Sequence, residues 1–328
     1  MGTLIIISGP TASGKTAAAL EIAQGGGYEI INGDTGQFYT ALDVGTAKPT
    51  GREQQSVPHH LFNIINGPVT IDASHYRDLV AQTCDNIWQR EKTPIIVGGS
   101  LFYLKSLLFK LSTQTGKESE CVSREPVYLG EEIQSDNDHS ACWKKLNEVD
   151  PTRAQKIHPN DSYRIHRALG IFKKTGTQAS EFVPKFDPIS EKILFIFLCP
   201  EPEILKEKLR QRTKLLLSKN SGYEKSWIEE CQELRGTKWE EFLCGGNLIG
   251  YRTIFKWLEI HDPKNINQEQ LDILTHDIVT ETWDYVRRQI KFFRNLKTSL
   301  LDLKNSITLE YISDGQGVVD SVAKFVNG

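Results

Sequence analysis

The residues with the clearest chemical potential lie near the start of the chain, in the segment Gly9-Pro10-Thr11-Ala12-Ser13-Gly14-Lys15-Thr16. This segment matches the pattern GxxxxGK[ST] and stands between a β-branched run at 3–8 and a helical pattern at Lys15–Ala23. In such a loop, backbone N–H groups point at a phosphate, Lys15 reaches the phosphate oxygens and the Thr16 hydroxyl can ligate Mg²⁺. The sequence therefore predicts a phosphate-binding loop, which leaves ATPase, kinase and diphosphate-releasing transferase open.

Two further polar residues follow predicted strands. Asp34 comes after the run Tyr28–Asn32, and Ser100 comes after Thr93–Val97 and two glycines. In an open parallel sheet the ligand lies beyond the carboxyl ends of the strands, so both residues are expected near the phosphate loop. Each could instead cap a helix. The position favours a functional role for Asp34, as a base or Mg²⁺ ligand, and leans the same way for Ser100.

Length and pattern predict the elements that position these residues. The 328 residues, 39% of them hydrophobic and 25% charged, fit about two globular domains of roughly 150 residues each and exclude a disordered chain. Strands alternate with helical patterns such as His75–Arg90, which predicts a doubly wound parallel α/β sheet of the P-loop NTPase type. The apolar run Ile193–Leu198 is typical of a strand buried on both faces.

Composition changes in the middle of the chain. Residues 111–140 are polar and rich in Ser, Glu and Asp, and a helical pattern follows over 141–175. We therefore expect a mainly helical insertion at 111–175 within a core formed by 1–110 and 176–328. The patterns after Pro200 predict helices at 201–218, 224–235, 248–260 and 268–297 and a last short strand at Leu309–Ile312.

Cysteine spacing and hydropathy bear on the compartment. The six cysteines stand far apart with no CxxC pair, so we expect free thiols. The N-terminal apolar run, Leu4–Ile7, is too short for a signal sequence or membrane span. These features lead us to expect a cytoplasmic protein without a membrane partner, and we expect it to be a monomer.

Several ordered blocks resemble the tRNA dimethylallyltransferases, also called tRNA isopentenyltransferases. The blocks are GPTASGKT (9–16), GDTGQFYTALDVGTAKP (33–49), PHHL (58–61), PIIVGGSLFYL (94–104), VDPTRAQKIHPNDSYRIHRALGIFKKTG (149–176), IGYRTIFKWL (249–258) and YVRRQIKFFR (285–294). The resemblance spans most of the chain. No Cys/His set follows residue 300, where eukaryotic relatives have a zinc finger, so the likeness is to the bacterial type.

The resemblance implies transfer of a dimethylallyl group from dimethylallyl diphosphate to the exocyclic amine of the adenosine just 3′ of the tRNA anticodon. It implies that the phosphate loop, with Mg²⁺ on Thr16, holds the diphosphate leaving group in place of ATP. By the same match, Asp34 orients or deprotonates the adenine amine, and Ser100 contacts the diphosphate side. Lys208 and Arg212 are similar to a basic pair near the diphosphate.

The resemblance also implies contacts with the anticodon stem-loop of tRNA. The segment Asp34-Thr35-Gly36-Gln37 matches the one around the extruded base, with Gln37 as a partner of adenine. The second matching segment is Tyr163-Arg164-Ile165-His166-Arg167. The sequence departs from the family pattern at Thr35, at Thr40 and at Ser100, where Ser replaces the usual Thr.

The distribution of charge along the chain bears on whether the partner is a nucleic acid. The formal charge of −3 argues against a nucleic-acid partner, yet basic residues gather at 164–174 and at 287–297, where Arg287, Lys291 and Arg294 share one helical face. Such a face suits a nucleic-acid backbone. The alternatives are an adenylate isopentenyltransferase that acts on free AMP or ADP, a P-loop kinase and a non-catalytic RNA-binding module.

Overall fold

The computed structural model describes residues 2–113, 139–219, 221–246, 248–300 and 307–327. Most of the polar segment predicted at 111–140 therefore lies outside the described residues, as does Cys121. The other five cysteines are free thiols, as the spacing predicts. Within the described ranges, every helix is too short or too polar to cross a membrane.

The described residues contain both strands and helices in alternation. The strands are β1 (Thr3–Ser8), β2 (Tyr28–Asn32), β3 (His59–His60), β4 (Thr93–Gly98), β5 (Phe109–Thr113), β6 (Phe182–Phe186), β7 (Lys192–Leu198) and β8 (Ile307–Ile312). The helices are α1 (Lys15–Gln24), α2 (Gly51–Ser56), α3 (Ala73–Gln89), α4 (Leu101–Ser106), α5 (His139–Val149), α6 (Pro151–Ala154), α7 (Ser162–Thr175), α8 (Pro202–Leu217), α9 (Trp227–Leu234), α10 (Lys238–Gly245), α11 (Tyr251–Ile260), α12 (Gln268–Leu300) and α13 (Gly315–Asn327).

A parallel sheet is the centre of the first of two structural units, which comprises Met1–Pro68, Leu79–Leu104 and Ser190–Gly328. Its strand order within the described residues is β3-β2-β4-β1-β7-β8. The predicted doubly wound α/β class is confirmed. Because β1 lies between β4 and β7, the loop after β1 meets the ends of both neighbours, which is where such sheets bind ligands.

Apolar side chains bury both faces of this sheet. On one face, strand residues pack with α1 and α13 in a shared core. On the other, Phe197 of β7 stacks on Phe293 of α12, with ring centroids 3.8 Å apart. Burial on both faces explains why β1 and β4 are rich in β-branched residues and why β7 is apolar from Ile193 to Leu198.

The second unit comprises Val69–Asp78 and Lys105–Ile189. It holds the antiparallel pair β5–β6 and the helices α5, α6 and α7. Its core includes Leu146, Ile157 and Ile165, all buried. Asp150 connects two of its segments, since its carboxylate accepts from the backbone N–H groups of Arg153 and Ser180. The predicted insertion at 111–175 falls inside this unit, and its role in binding tRNA stays a prediction.

Several elements differ from the sequence prediction. The helix predicted at 248–260 begins at Tyr251, because Gly250 takes a positive φ of 87° just before it. The predicted 224–235 helix starts at Trp227, where Ser226 caps it together with Glu229. Helices α10 and α13 and the strands β5 and β6 have no counterpart in the prediction.

Candidate active site

The phosphate loop follows β1 and leads into α1. Gly9 has φ 155°, and a Cβ on it would lie 2.1 Å from the carbonyl oxygen of Leu198, so only glycine permits this approach of the loop to β7. The first turn of α1 has backbone N–H groups with no acceptor inside the helix. Ser13 Oγ is buried and has no hydrogen-bond partner among the described residues. These groups form a site that is suited to an anion.

Lys15 and Thr16 begin helix α1. Lys15 Nζ donates to the carbonyl oxygen of Pro10 at 2.8 Å, which closes the loop on itself, and the Thr16 side chain is exposed. Burial lowers the pKa of Lys15 to about 8; the nearby Arg212 guanidinium adds to the effect and the Asp34 carboxylate opposes it. A phosphate group near Lys15 would favour its charged form.

Asp34 is held by the chain on either side of it. Its backbone N–H donates to Asn32 Oδ1 at 2.8 Å, and its own Oδ1 accepts from Gly36 N at 3.1 Å, which caps the 3₁₀ turn Thr35–Phe38. Among the described residues, the second carboxylate oxygen, Oδ2, has no hydrogen-bond partner. Asp34 is therefore both a cap and a carboxylate with one oxygen free for a ligand.

Ser100 connects the ends of two neighbouring strands. Its hydroxyl accepts from Thr35 N at 3.0 Å and lies 3.3 Å from Thr35 Oγ1. Its carbonyl oxygen accepts from Tyr103 and Leu104 at the start of α4. Ser100 thus stands at the helix N-terminus, while its hydroxyl fixes the segment that carries Asp34.

A cavity of about 120 Å³ brings Thr11 of the phosphate loop and Asp34 to an apolar wall, whereas Lys15, Thr16 and Ser100 lie outside its lining. Its polar lining includes Thr11, Asp34, Thr35, Arg212, Thr282 and Tyr285. Its apolar lining includes Leu209, Leu216, Trp227, Leu248 and Ile278. Burial lowers the pKa of the Arg212 guanidinium, an effect that Tyr223 and Asp34 oppose, but arginine remains charged over the accessible pH range.

The buried carboxylate of Glu230 holds the segment 43–46, part of which lines this cavity. Glu230 Oε2 accepts from the N–H groups of Asp43 and Val44, both at 2.7 Å. Its Oε1 accepts from Gly45 N at 3.0 Å and from the Tyr251 hydroxyl at 2.7 Å. Through Glu230 on α9 and Tyr251 on α11, the segment 43–46 is therefore fixed to these two helices.

Comparison with known proteins assigns the family. A family model described as IPP transferase matches residues 37–296. The chain is 33% identical to a tRNA dimethylallyltransferase of Geobacter metallireducens, over 89% of each protein. It is 30% identical to a tRNA dimethylallyltransferase of Bacillus cereus, over 98% of this chain and 94% of that one. The chain belongs to the IPP transferase family.

Solved structures agree with this family. The fold resembles that of a eukaryotic dimethylallyltransferase acting on tRNA, with a TM-score of 0.75, 24% identity and coverage of 100% of this chain and 80% of that chain. It also resembles a tRNA isopentenylpyrophosphate transferase of Bacillus halodurans, with a TM-score of 0.56, 26% identity and coverage of 100% and 96%. The resemblance inferred from the sequence blocks is confirmed.

The IPP transferase fold brings some predicted site residues together and separates others. Arg212 lines the cavity, but Lys208, one turn earlier on α8, is exposed and outside the cavity lining. Gly36 lines the cavity, whereas the Gln37 side chain donates through Nε2 to the carbonyl oxygens of Thr46 and Ala47, both at 3.1 Å. Among the described residues Gln37 Oε1 has no hydrogen-bond partner, and the contact of Gln37 with adenine stays a prediction.

The segment at 163–167 forms part of α7 in the second unit. Tyr163 and Arg164 are exposed, and Arg167 donates to the Tyr163 hydroxyl at 3.3 Å. His166 lies 2.7 Å from the Ser162 carbonyl oxygen through Nδ1 and 3.7 Å from Cys142 Sγ through Nε2. These residues' contacts with tRNA stay predictions.

One predicted tRNA-binding side chain needs correction. Ile165 is 0% exposed and packs in the core between α5 and α7. Its side chain is buried because the apolar face of this amphipathic helix must pack inward, so the side chain stabilises the segment, whose contact with tRNA stays a prediction.

Sequence reasoning missed several residues of the site. They are Glu230, Tyr251, Tyr285 and Gln289. Tyr251, Tyr285 and Gln289 lie in blocks that the resemblance identified, which was the available signal. Glu230 lies outside those blocks, and its contacts with 43–45 join residues far apart in the chain.

Proposed function

We propose that the protein transfers a dimethylallyl group from dimethylallyl diphosphate to the exocyclic amine of the adenosine 3′-adjacent to the anticodon in tRNA, with release of diphosphate. The observation that carries this proposal is the cavity in which the phosphate loop, the Asp34 carboxylate and an apolar wall meet. Membership in the IPP transferase family supports it. The alternatives of an AMP-specific enzyme or a kinase have no comparable support.

The proposed reaction is a substitution at the first carbon of the prenyl unit. The amine nitrogen forms a bond to that carbon, the carbon–oxygen bond breaks, and its electron pair leaves with the diphosphate. The amine proton passes to Asp34. Because an arylamine is a weak nucleophile, orientation and proton removal are the contributions required of the protein on this side.

The diphosphate side requires stabilisation of negative charge. The N–H groups of the phosphate loop, Lys15 and Arg212 supply positive potential where the leaving group develops charge. The unpartnered Ser13 hydroxyl would donate to a phosphate oxygen. The leucines and isoleucines of the cavity wall would exclude water from the hydrocarbon.

Mg²⁺ fits this arrangement as a partner of the diphosphate. The described residues contain no cluster of three His, Cys, Asp or Glu side chains that could hold a metal by itself. Mg²⁺ commonly keeps several waters and binds through substrate phosphates and one or two protein oxygens. Thr16, with an exposed hydroxyl in the first turn of α1, would supply such an oxygen, and the ion would neutralise charge on the diphosphate.

The proposal also covers the RNA substrate, the cellular compartment and the oligomeric state. The exposed basic face Arg287, Lys291 and Arg294 supports an RNA substrate. The proposal places the enzyme in the cytoplasm as a monomer.

A purine substitution tests the proposed chemistry. An anticodon stem-loop with adenosine 3′ of the anticodon should gain the mass of one dimethylallyl unit when incubated with the protein, Mg²⁺ and dimethylallyl diphosphate. The same stem-loop with purine riboside at that position lacks the amine and should gain nothing. Equal modification of both RNAs would show that the exocyclic amine is not the nucleophile.

A further inference from the structure

Gln289 is a buried amide in the middle of helix α12. Its side chain joins two segments that are remote in sequence, and the residue is only 4% exposed. Oε1 accepts from the backbone N–H of Thr11 at 3.2 Å, and Nε2 donates to the carbonyl oxygen of Gly99 at 2.9 Å. These partners fix the orientation of the amide, because a backbone N–H can only donate and a carbonyl can only accept.

Both partners of Gln289 belong to the active site. Thr11 is part of the phosphate loop and lines the cavity. Gly99 immediately precedes Ser100, whose hydroxyl holds the Asp34 segment through Thr35. A Cβ at position 99 would lie 2.6 Å from Gln289 Nε2, so the absence of a side chain there permits the contact.

The location of Gln289 on α12 gives the contact a further consequence. Tyr285, one turn earlier, lines the cavity, while Arg287 and Lys291 on either side of Gln289 are exposed. A single helix therefore presents basic side chains outward and holds the phosphate loop by a buried amide. Neither the phosphate-loop motif nor the predicted basic face explains why a buried glutamine side chain stands at position 289.

We propose that Gln289 is a positioning residue that sets the shape of the diphosphate-binding loop by tying the Thr11 N–H to the Gly99 carbonyl. The inference rests on the proposed function in taking diphosphate as the ligand. With the Thr11 N–H engaged by Gln289, the curvature of the loop is fixed before the ligand arrives. Preorganisation of this kind strengthens anion binding because no ordering of the loop accompanies it.

Direct binding of inorganic diphosphate with Mg²⁺, measured by calorimetry, tests the proposal without turnover. Gln289→Met keeps the length and packing of the side chain but removes both hydrogen bonds. Because each such bond is modest, their loss should raise the dissociation constant for diphosphate about tenfold. Binding of an anticodon stem-loop, measured by fluorescence anisotropy, should change less than about twofold, since the phosphate contacts of exposed lysine and arginine dominate nucleic-acid affinity.

Two further variants separate positioning from stability. Gln289→Glu keeps an acceptor for Thr11 but places a carboxylate oxygen against the Gly99 carbonyl, so it should weaken diphosphate binding more than Gln289→Met. Thr275→Val is the matched control, since Thr275 is also buried on α12 and, among the described residues, its hydroxyl bonds only to the carbonyl oxygen of Leu271 within the helix. It should bind diphosphate as the unmodified protein does.

The outcomes distinguish this inference from the proposed function. Unchanged diphosphate affinity in Gln289→Met, or a loss equal to that in Thr275→Val, would overturn the role of Gln289. An unmodified protein that does not bind diphosphate would overturn it as well. A protein that binds diphosphate in this Gln289-dependent way but does not prenylate RNA would support Gln289 and refute the proposed reaction.

Discussion

Three charged side chains define the chemistry of the site at the scale of single residues. Lys15 and Arg212 are cationic and close enough to Asp34 for electrostatic interaction with it. Asp34 uses one carboxylate oxygen to cap its own turn. Its other carboxylate oxygen has no hydrogen-bond partner in the described part of the chain. In the proposed reaction these residues would separate two tasks, since Lys15 and Arg212 would stabilise the leaving anion and Asp34 would accept the proton.

The double role of Asp34 leads to a test of the carboxylate. Asp34→Asn retains an oxygen that can accept from Gly36, so the cap survives while the charge and basicity are lost. We expect kcat for prenyl transfer to fall about 10²- to 10⁴-fold, with stem-loop binding unchanged. Asp34→Ala, which also loses the cap, should be no more active. Near-normal turnover in Asp34→Asn would reduce Asp34 to a structural cap.

The lowered pKa of Lys15 predicts a pH dependence of diphosphate binding. Burial places the pKa at about 8 in the free protein, so Lys15 is about half deprotonated at that pH and becomes neutral above it. The ligand favours the charged form, so the contribution of Lys15 to the affinity should be constant well below pH 8 and fall by up to about tenfold per pH unit above it. Calorimetric titration across this range measures the effect.

Lys15→Arg is the control for this pH profile. Arginine stays charged, so the variant should bind diphosphate without a decline above about pH 8. A decline of the same size in both proteins would assign the effect to another group.

At the scale of elements, the sequence predicts those whose contacts are local. The strands β1 and β2 have the predicted bounds, and β4 and β7 are one residue longer than predicted, because their buried faces require continuous apolar runs. The residues Lys15, Asp34 and Ser100 are identified because each follows such a strand. Glu230 and Gln289 could not be identified this way, because the 43–45 segment that Glu230 holds and both partners of Gln289 lie 185 or more residues away in the chain.

The same limit applies to the helical elements. The hydrophobic period of α12 predicts a helix over most of its 33 residues, but the period does not show which buried polar side chain holds the phosphate loop. Ile165 illustrates the opposite case. The matching family segment places Ile165 among the tRNA contacts, whereas the hydrophobic period of the helix places its side chain in the core. In the structure the Ile165 side chain is buried in the core.

The basic face of α12 carries a prediction at this scale. Arg287, Lys291 and Arg294 are exposed, and Arg287 also pairs with Asp284 one turn earlier. Replacing Arg287 and Lys291 together by Ala should weaken stem-loop binding and lower the slope of log affinity against log salt by about 2. Anisotropy titrations at several salt concentrations measure this slope.

A double variant elsewhere controls for the change in net charge. Lys264 precedes α12 and Lys324 lies on α13, and both are exposed. Lys264→Ala with Lys324→Ala removes the same charge and should leave the slope unchanged. Equal slopes for all three proteins would show that the α12 face is only solvated.

At the scale of the whole molecule, the net charge of −3 does not show that acidic and basic residues are concentrated in different regions of the chain. Acidic residues concentrate at 227–241, while basic residues cluster at 164–174 and 287–297. A nucleic-acid partner responds to local potential and not to the sum over the chain. The family assignment and the surface charge therefore agree.

The choice between a polynucleotide and a free nucleotide as prenyl acceptor tests the central claim most directly. The measurement is the ratio of kcat/KM for an anticodon stem-loop to kcat/KM for AMP, each with saturating dimethylallyl diphosphate and Mg²⁺ and with products identified by mass. We predict a prenylated stem-loop and no detectable prenyl-AMP. Prenylation of AMP without modification of the stem-loop would contradict the account.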